Sequence, residues 1–321
     1  MDRDNFLDYV RGGRLNVVKA FIENNIILDD MLLHLTAAVG RLEMLQYFIG
    51  PEVRFDTQKT DTDGRTVLHI SVIAGQIEIV KYLLGPDVNI NIAVTDEKGK
   101  TALHYAAMKG YLDILNTFLE IDGTDALYIE TKDSVGNTAL MVSASYGNLE
   151  VLKTLQQFAK DKHDESGYHS DHSHHRHHSH HSHHSHGNKD YGIWTSNNNG
   201  KTALHAAAKK GHLAIVKYLL DEGIHIHVKR NNKDTPLHVA AFNGQVLVVK
   251  ELLERGASAW EKNHVGNYPL HLAAIRGNGE IIELLLQTSA GADLKWYTNN
   301  DKQLPADLAT NEEIKTLLTE Y

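Results

Sequence analysis

Twenty-two histidines in 321 residues, with no cysteine, are the side chains of this chain best placed to do chemistry. They fall in two patterns. Twelve crowd into residues 163–186, beginning with His163 and His169 and becoming densest over His172, His174, His175, His177, His178, His180, His181, His183, His184 and His186. Neutral imidazole is a common transition-metal ligand, and closely spaced copies could bind zinc, nickel or copper in several interchangeable geometries. The same composition suits a solvated linker with no metal role. It also suits a charge switch, because a reference pKa of about 6.5 lets most of the cluster charge near pH 5.5. A metal here is the one cofactor the chain suggests; none is required elsewhere.

The second pattern is periodic. His69, His104, His205, His238 and His271 close the tetrads Thr66-Val-Leu-His69, Thr101-Ala-Leu-His104, Thr202-Ala-Leu-His205, Thr235-Pro-Leu-His238 and Tyr268-Pro-Leu-His271. A looser copy is Thr138-Ala-Leu-Met141, and two faint ones are Met31-Leu-Leu-His34 and Asp4-Asn-Phe-Leu7. Nine residues after the first position of each stands a glycine: Gly13, Gly40, Gly75, Gly110, Gly147, Gly211, Gly244 and Gly277. Each of these histidines occurs once per copy with no acid or nucleophile paired beside it, which favours a structural role over catalysis.

The elements that carry them follow from helix physics. A threonine ahead of a helical run can cap free backbone amides, and Pro236 and Pro269 sit where an amide would be unpaired anyway. Leu204, Ala207 and Ala208 form a narrow face of small side chains, Gly211 ends the helix, and Leu213, Ile215, Val216, Leu219 and Leu220 make a second amphipathic helix closed by Gly223. One such hairpin cannot bury its apolar face alone, so stacking is compulsory. Thr202 to Thr235 and Thr235 to Tyr268 are steps of 33 residues; Thr66 to Thr101 is 35, Thr101 to Thr138 is 37 and Thr138 to Thr202 is 64.

A period near 33 carrying Thr-Pro-Leu-His and a later glycine resembles the ankyrin repeat family. The resemblance implies an all-α solenoid of stacked helix-turn-helix units joined by short turns or hairpins, with the motif histidine bonding the motif threonine and adjoining backbone. Repeats are expected at 1–28 and 29–60, both worn, then at about 61–95, to 132, and from Asp133 with helices near 138–146 and 148–159. Later units are expected near 199–231, 232–264 and 265–298, with a cap over Gln303 to Leu318. The domain division is therefore 1–159, a histidine-rich insertion at 160–192 expected to be disordered, and 193–321. Gly64, Gly99, Gly136, Gly200 and Gly266 suit tight turns before the inner helices, and Lys233 is the one departure.

Composition narrows the function. A formal charge of −9 and the lack of any long basic run argue against nucleic acid. No stretch approaches the ~18 apolar residues of a membrane span, and the charged start does not read as a signal peptide, so cytosol or nucleus and no membrane partner are expected. Without cysteine there is no thiol catalysis and no disulfide. No phosphate loop, nucleophile elbow or paired carboxylate motif is present, so no enzyme is expected.

The resemblance implies instead a protein-interaction scaffold, read as a monomer, that binds protein on a concave face built by the turn tips and the two residues before each interhelix glycine. Those are Ile73, Ala74, Met108, Lys109, Ser145, Tyr146, Lys209, Lys210, Phe242, Asn243, Ile275 and Arg276. Trp260, Trp296 and Tyr297 extend the patch, or simply cover neighbouring repeats. Asn89, in Asp87-Val-Asn-Ile, resembles the asparagine hydroxylated by intracellular dioxygenases in this family, although Gly85-Pro86 departs from the usual context.

Overall fold

A computed structural model describes residues 3–23, 31–88, 90–121, 126–165, 192–288 and 291–320. The chain divides into two compact units, Met1–Ser134 and Val135–Tyr321. Each is taken by itself.

The first unit holds four helical hairpins: α1 (Arg3–Arg11) with α2 (Leu15–Glu23), α3 (Met31–Ala38) with α4 (Leu42–Ile49), α5 (Val67–Ile73) with α6 (Ile77–Leu84), and α7 (Ala102–Lys109) with α8 (Leu112–Leu119). The inner helices α1, α3, α5 and α7 pack one on the next. The outer helices bury an i, i+1, i+4 stripe, Met44/Leu45/Phe48, Ile79/Val80/Leu83 and Ile114/Leu115/Phe118, against their own inner helix. A short turn, α9 (Ala126–Ile129), follows, and its Tyr128 is buried beside Phe118. It takes up the four residues by which the 37-residue step exceeds 33.

The second unit repeats the hairpin: α10 (Ala139–Tyr146) with α11 (Leu149–Glu165), α12 (Ala203–Lys210) with α13 (Leu213–Asp221), α14 (Pro236–Phe242) with α15 (Val246–Glu254), and α16 (Pro269–Arg276) with α17 (Gly279–Leu286). A single turn, α18 (Gly291–Leu294), a 3₁₀ turn at Pro305–Leu308 and α19 (Glu312–Glu320) complete it. The row α10, α12, α14, α16 is continuous, and its last member is covered by the 3₁₀ turn. There Asp307 takes the histidine's place, its carboxylate accepting from the Leu304 amide at 2.8 Å.

Two details differ from the sequence reading. The inner helix α12 is buried at every residue from Ala203 to Ala208, not only along Leu204, Ala207 and Ala208. It is flanked by α10 and α14 as well as by α13, so three sides are covered and alanine is the side chain that fits. The outer helix α11 continues to Glu165, past the expected stop at 159. Ala159 is buried, Lys160 pairs with Glu222 at 2.5 Å, and Gln157 donates to Asp161 one turn on, so these residues gain by staying helical.

Candidate functional site

The periodic histidines are the fasteners of the stack. In four tetrads the threonine backbone amide points at the imidazole Nδ1, at 3.2 Å for Thr66–His69 and Thr101–His104, 3.4 Å for Thr202–His205 and 3.3 Å for Thr235–His238. An amide can only donate, so Nδ1 is the acceptor and the proton sits on Nε2. That Nε2 donates across to the next repeat: His34 to the Arg65 carbonyl at 2.9 Å, His69 to Lys100 at 3.0 Å, His205 to Asp234 at 3.1 Å, His238 to Asn267 at 3.0 Å and His271 to Gln303 at 3.1 Å. With both nitrogens engaged, His69, His205, His238 and His271 have no lone pair left for a metal. Burial pushes the pKa of His205 and His271 down to about 4, and that of His69 and His238 below the usual value. His34 is the worn copy: Met31 stands where threonine should, and Nδ1 finds no partner among the described residues.

A second set of fasteners gives no obvious motif in the sequence. At several repeats the residue after the interhelix glycine reaches back to the C-terminal carbonyls of the preceding inner helix, which a helix end leaves unpaired. Gln76 donates to the Ala38 carbonyl at 3.4 Å, His212 to Ser145 at 3.1 Å, Gln245 to Lys209 at 3.4 Å and Asn278 to Ala241 at 3.0 Å. At the turns, Asn263 accepts from the amides of Val265 and Asn267 and donates to Asp234 at 2.9 Å, and Asn299 repeats this toward Asn267 at 3.0 Å. Lys233 does take the left-handed φ that its glycine neighbours take, at 61°.

Models of "Ankyrin repeats (3 copies)" match residues 8–96, 33–128, 90–166 and 183–263, and one of "Ankyrin repeat" matches 265–300. The chain belongs to the ankyrin repeat family. Among solved structures, this ankyrin repeat protein is similar to the human ASB11 ankyrin repeat domain, at 25% identity and a TM-score of 0.61, over 79% of this chain and 96% of that one. It is also similar in fold to the ankyrin repeat domain of Bcl-3, an IkappaB family member, at 21% identity and a TM-score of 0.56, with the same coverage. No curated protein matches it.

The expected binding residues fall on both units. In the first, Ile73 and Met108 are half-buried and Lys109 is exposed. In the second, Tyr146, Lys209 and Lys210, Phe242 and Arg276 stand at the C-terminal ends of consecutive inner helices α10, α12, α14 and α16. Tyr146 and Phe242 are 55% and 40% exposed, unusual for aromatics that could have been buried. The Arg276 guanidinium lies 5.2 Å from the Phe242 ring centre, which shows that these helix ends are neighbours. Ile275 is half-buried, and Asn243 turns inward, donating to the Val239 carbonyl at 2.8 Å.

Trp260 lies off that row, in a turn-side aromatic group with Tyr297 at 5.0 Å and Tyr268 at 6.0 Å. It keeps 39% exposure, and Trp296 keeps 61%. The three tryptophans of the chain, Trp194, Trp260 and Trp296, occupy one register position, three residues before Asn197, Asn263 and Asn299. That repetition was legible in the sequence once the turn asparagines were aligned.

His172, His174, His175, His177, His178, His180, His181, His183, His184 and His186 lie outside the described residues, as does Asn89. Among the described residues no group of His, Asp and Glu is arranged to hold a metal ion, and no helix is long and apolar enough to cross a membrane.

Proposed function

We propose that this ankyrin repeat protein is a non-enzymatic scaffold that captures protein partners on the face made by its turns and inner-helix C-termini. The observation that carries the reading is the row Tyr146, Lys209, Phe242 and Arg276. It sets two exposed aromatics and two exposed cations at the ends of successive packed inner helices, and among the described residues the only one of these side chains that reaches a neighbour in the row is Arg276, over Phe242. Aromatic and arginine side chains are enriched at protein interfaces, the aromatics because they bury large area with little loss of rotamer freedom and arginine because its planar guanidinium both stacks and donates several hydrogen bonds. The rigid scaffold keeps them in place before the partner arrives, which lowers the cost of binding.

The test is affinity capture read by mass spectrometry, comparing the native chain with the Tyr146→Ala, Lys209→Ala, Phe242→Ala triple variant. Loss of the captured proteins with a nearly unchanged melting temperature supports the site; unchanged capture refutes it.

A further inference from the structure

We propose that the occupant of this face on the second unit is an extended acidic segment of another protein, in which carboxylates alternate with apolar side chains. The inference rests on the scaffold reading above and names the chemistry of its partner.

The charges are distributed unevenly over the unit. On the outer helices most cations are neutralised within the fold: Lys160 pairs with Glu222, Lys217 with Glu251 at 3.3 Å, and Arg255 with Asp221 at 2.5 Å and Glu251 at 2.6 Å, while Lys250 and Lys315 are not paired among the described residues. On the inner-helix ends and turns five are not. Lys209, Lys210, Lys233, Arg276 and Lys302 have no carboxylate within ion-pair distance among the described residues. Two of the nearby acids are already engaged, Asp234 by Arg230 and Glu261 by Lys229 at 2.8 Å. Residues 1–134, by contrast, carry 13 Lys and Arg against 21 Asp and Glu, while the rest of the chain carries 19 against 20. The second unit thus gathers most of its unneutralised positive charge along the inner-helix ends and turns, where it is interleaved with Tyr146 and Phe242.

This arrangement selects its ligand. Unpaired cations beside apolar rings attract carboxylates and exclude a basic or uncharged peptide. The outer side, rich in Glu and Asp, repels a long polyanion that would wrap the unit, which disfavours nucleic acid. Packed helix axes lie roughly 8–10 Å apart, and an extended chain rises about 3.3 Å per residue, so each repeat matches about three residues of ligand. A segment of about fifteen residues spans the four inner helices and the cap.

The experiment uses the full chain and a fluorescein-labelled peptide of about fifteen residues alternating Glu or Asp with Phe or Leu, read by anisotropy. The comparison ligands are the same peptide with Gln and Asn in place of the acids, and a single-stranded oligonucleotide. Binding of the acidic peptide at least tenfold tighter than of either comparison ligand, weakening with added salt, is expected. The Lys209→Glu, Lys210→Glu, Arg276→Glu variant should lose at least tenfold in affinity for the acidic peptide, while the outer-helix control Lys250→Glu changes it less than twofold. Equal binding of acidic and amide peptides, tighter binding of the oligonucleotide, or an unaffected charge-reversed variant overturns the proposal. If the reversed variant loses its captured proteins yet no acidic peptide binds, the acidic class fails and the scaffold surface stands. If capture survives both this variant and the alanine triple, the surface itself fails.

Discussion

His212 donates from Nε2 to the Ser145 carbonyl at 3.1 Å, joining two residues separated by 67 positions and by the whole histidine-rich segment. The two hairpins on either side of that segment are therefore fastened directly, inner helix to inner helix.

The same approach puts His212 hard against Gly147, which adopts a φ of 84°; a Cβ there would come within 2.8 Å of the imidazole. Gly223 has a similar φ of 88° with nothing within 4 Å. Gly223→Ala is expected to cost only the backbone strain, about 1–2 kcal/mol, and Gly147→Ala to cost at least about 1 kcal/mol more through the displaced imidazole. Urea unfolding of both variants measures the difference. Equal losses would show that the contact between Gly147 and His212 carries no weight.

Acid should loosen the stack in a defined window. The folded pKa of His205 and His271 is about 4, below the usual 6.5 of the unfolded chain. Between those values the unfolded state takes up protons that the folded state refuses, so stability falls as pH drops from about 6.5 to 4 and the loss then levels off. A shift of this size is worth on the order of 3 kcal/mol for each residue. The urea midpoint is expected to fall across that window, and His271→Gln, which cannot charge, should flatten the profile. A profile unchanged by the substitution contradicts the assignment.

Asn263 ties the turn to the preceding repeat through Asp234, which is itself buried. Asn263→Ala removes two acceptor bonds within the turn and one donor to a carboxylate, and is expected to cost about 2–3 kcal/mol. Asn263→Asp keeps the acceptors but sets a second carboxylate beside Asp234, so it should also destabilise, and less so at low pH. Thermal melts of the two variants at pH 7 and pH 5 distinguish these effects.

The histidine-rich segment calls for a test that leaves α11 intact to Glu165. Replacing His172, His174, His175, His177, His178, His180, His181, His183, His184 and His186 by serine keeps the length of the chain. Calorimetric titration with zinc is expected to show binding by the native chain and none by the replaced chain, with both melting at the same temperature. Equal heats from the two would end the metal reading.

The repeats were legible because helical spacing, caps and terminating glycines act over a few residues. Thr202, His205 and Gly211 announce a short capped helix wherever it is placed, and one narrow apolar face repeated every 33 residues leaves stacking as the only way to bury it. What the motif histidine does at its second nitrogen was not legible, since its acceptor is a backbone carbonyl about thirty residues away with no side-chain signature. The bonds from Gln76, His212 and Gln245 were hidden for the same reason, and so was the burial of α12 on three sides.

The sequence by itself determined the family and the all-helical hairpins, because these depend on local backbone preference and periodic hydrophobicity. Of the residues it singled out at the inner-helix ends, Tyr146, Lys209, Lys210, Phe242 and Arg276 are exposed while Ile73, Met108, Asn243 and Ile275 are partly covered. The tertiary structure alone decided which cations remain without a carboxylate. Lys217 and Lys210 read alike along the chain. Stacking brings Glu251 to the first and leaves Arg276, with its guanidinium over Phe242, two repeats beyond the second. Charge pairing depends on distances between repeats, and only the assembled stack sets them.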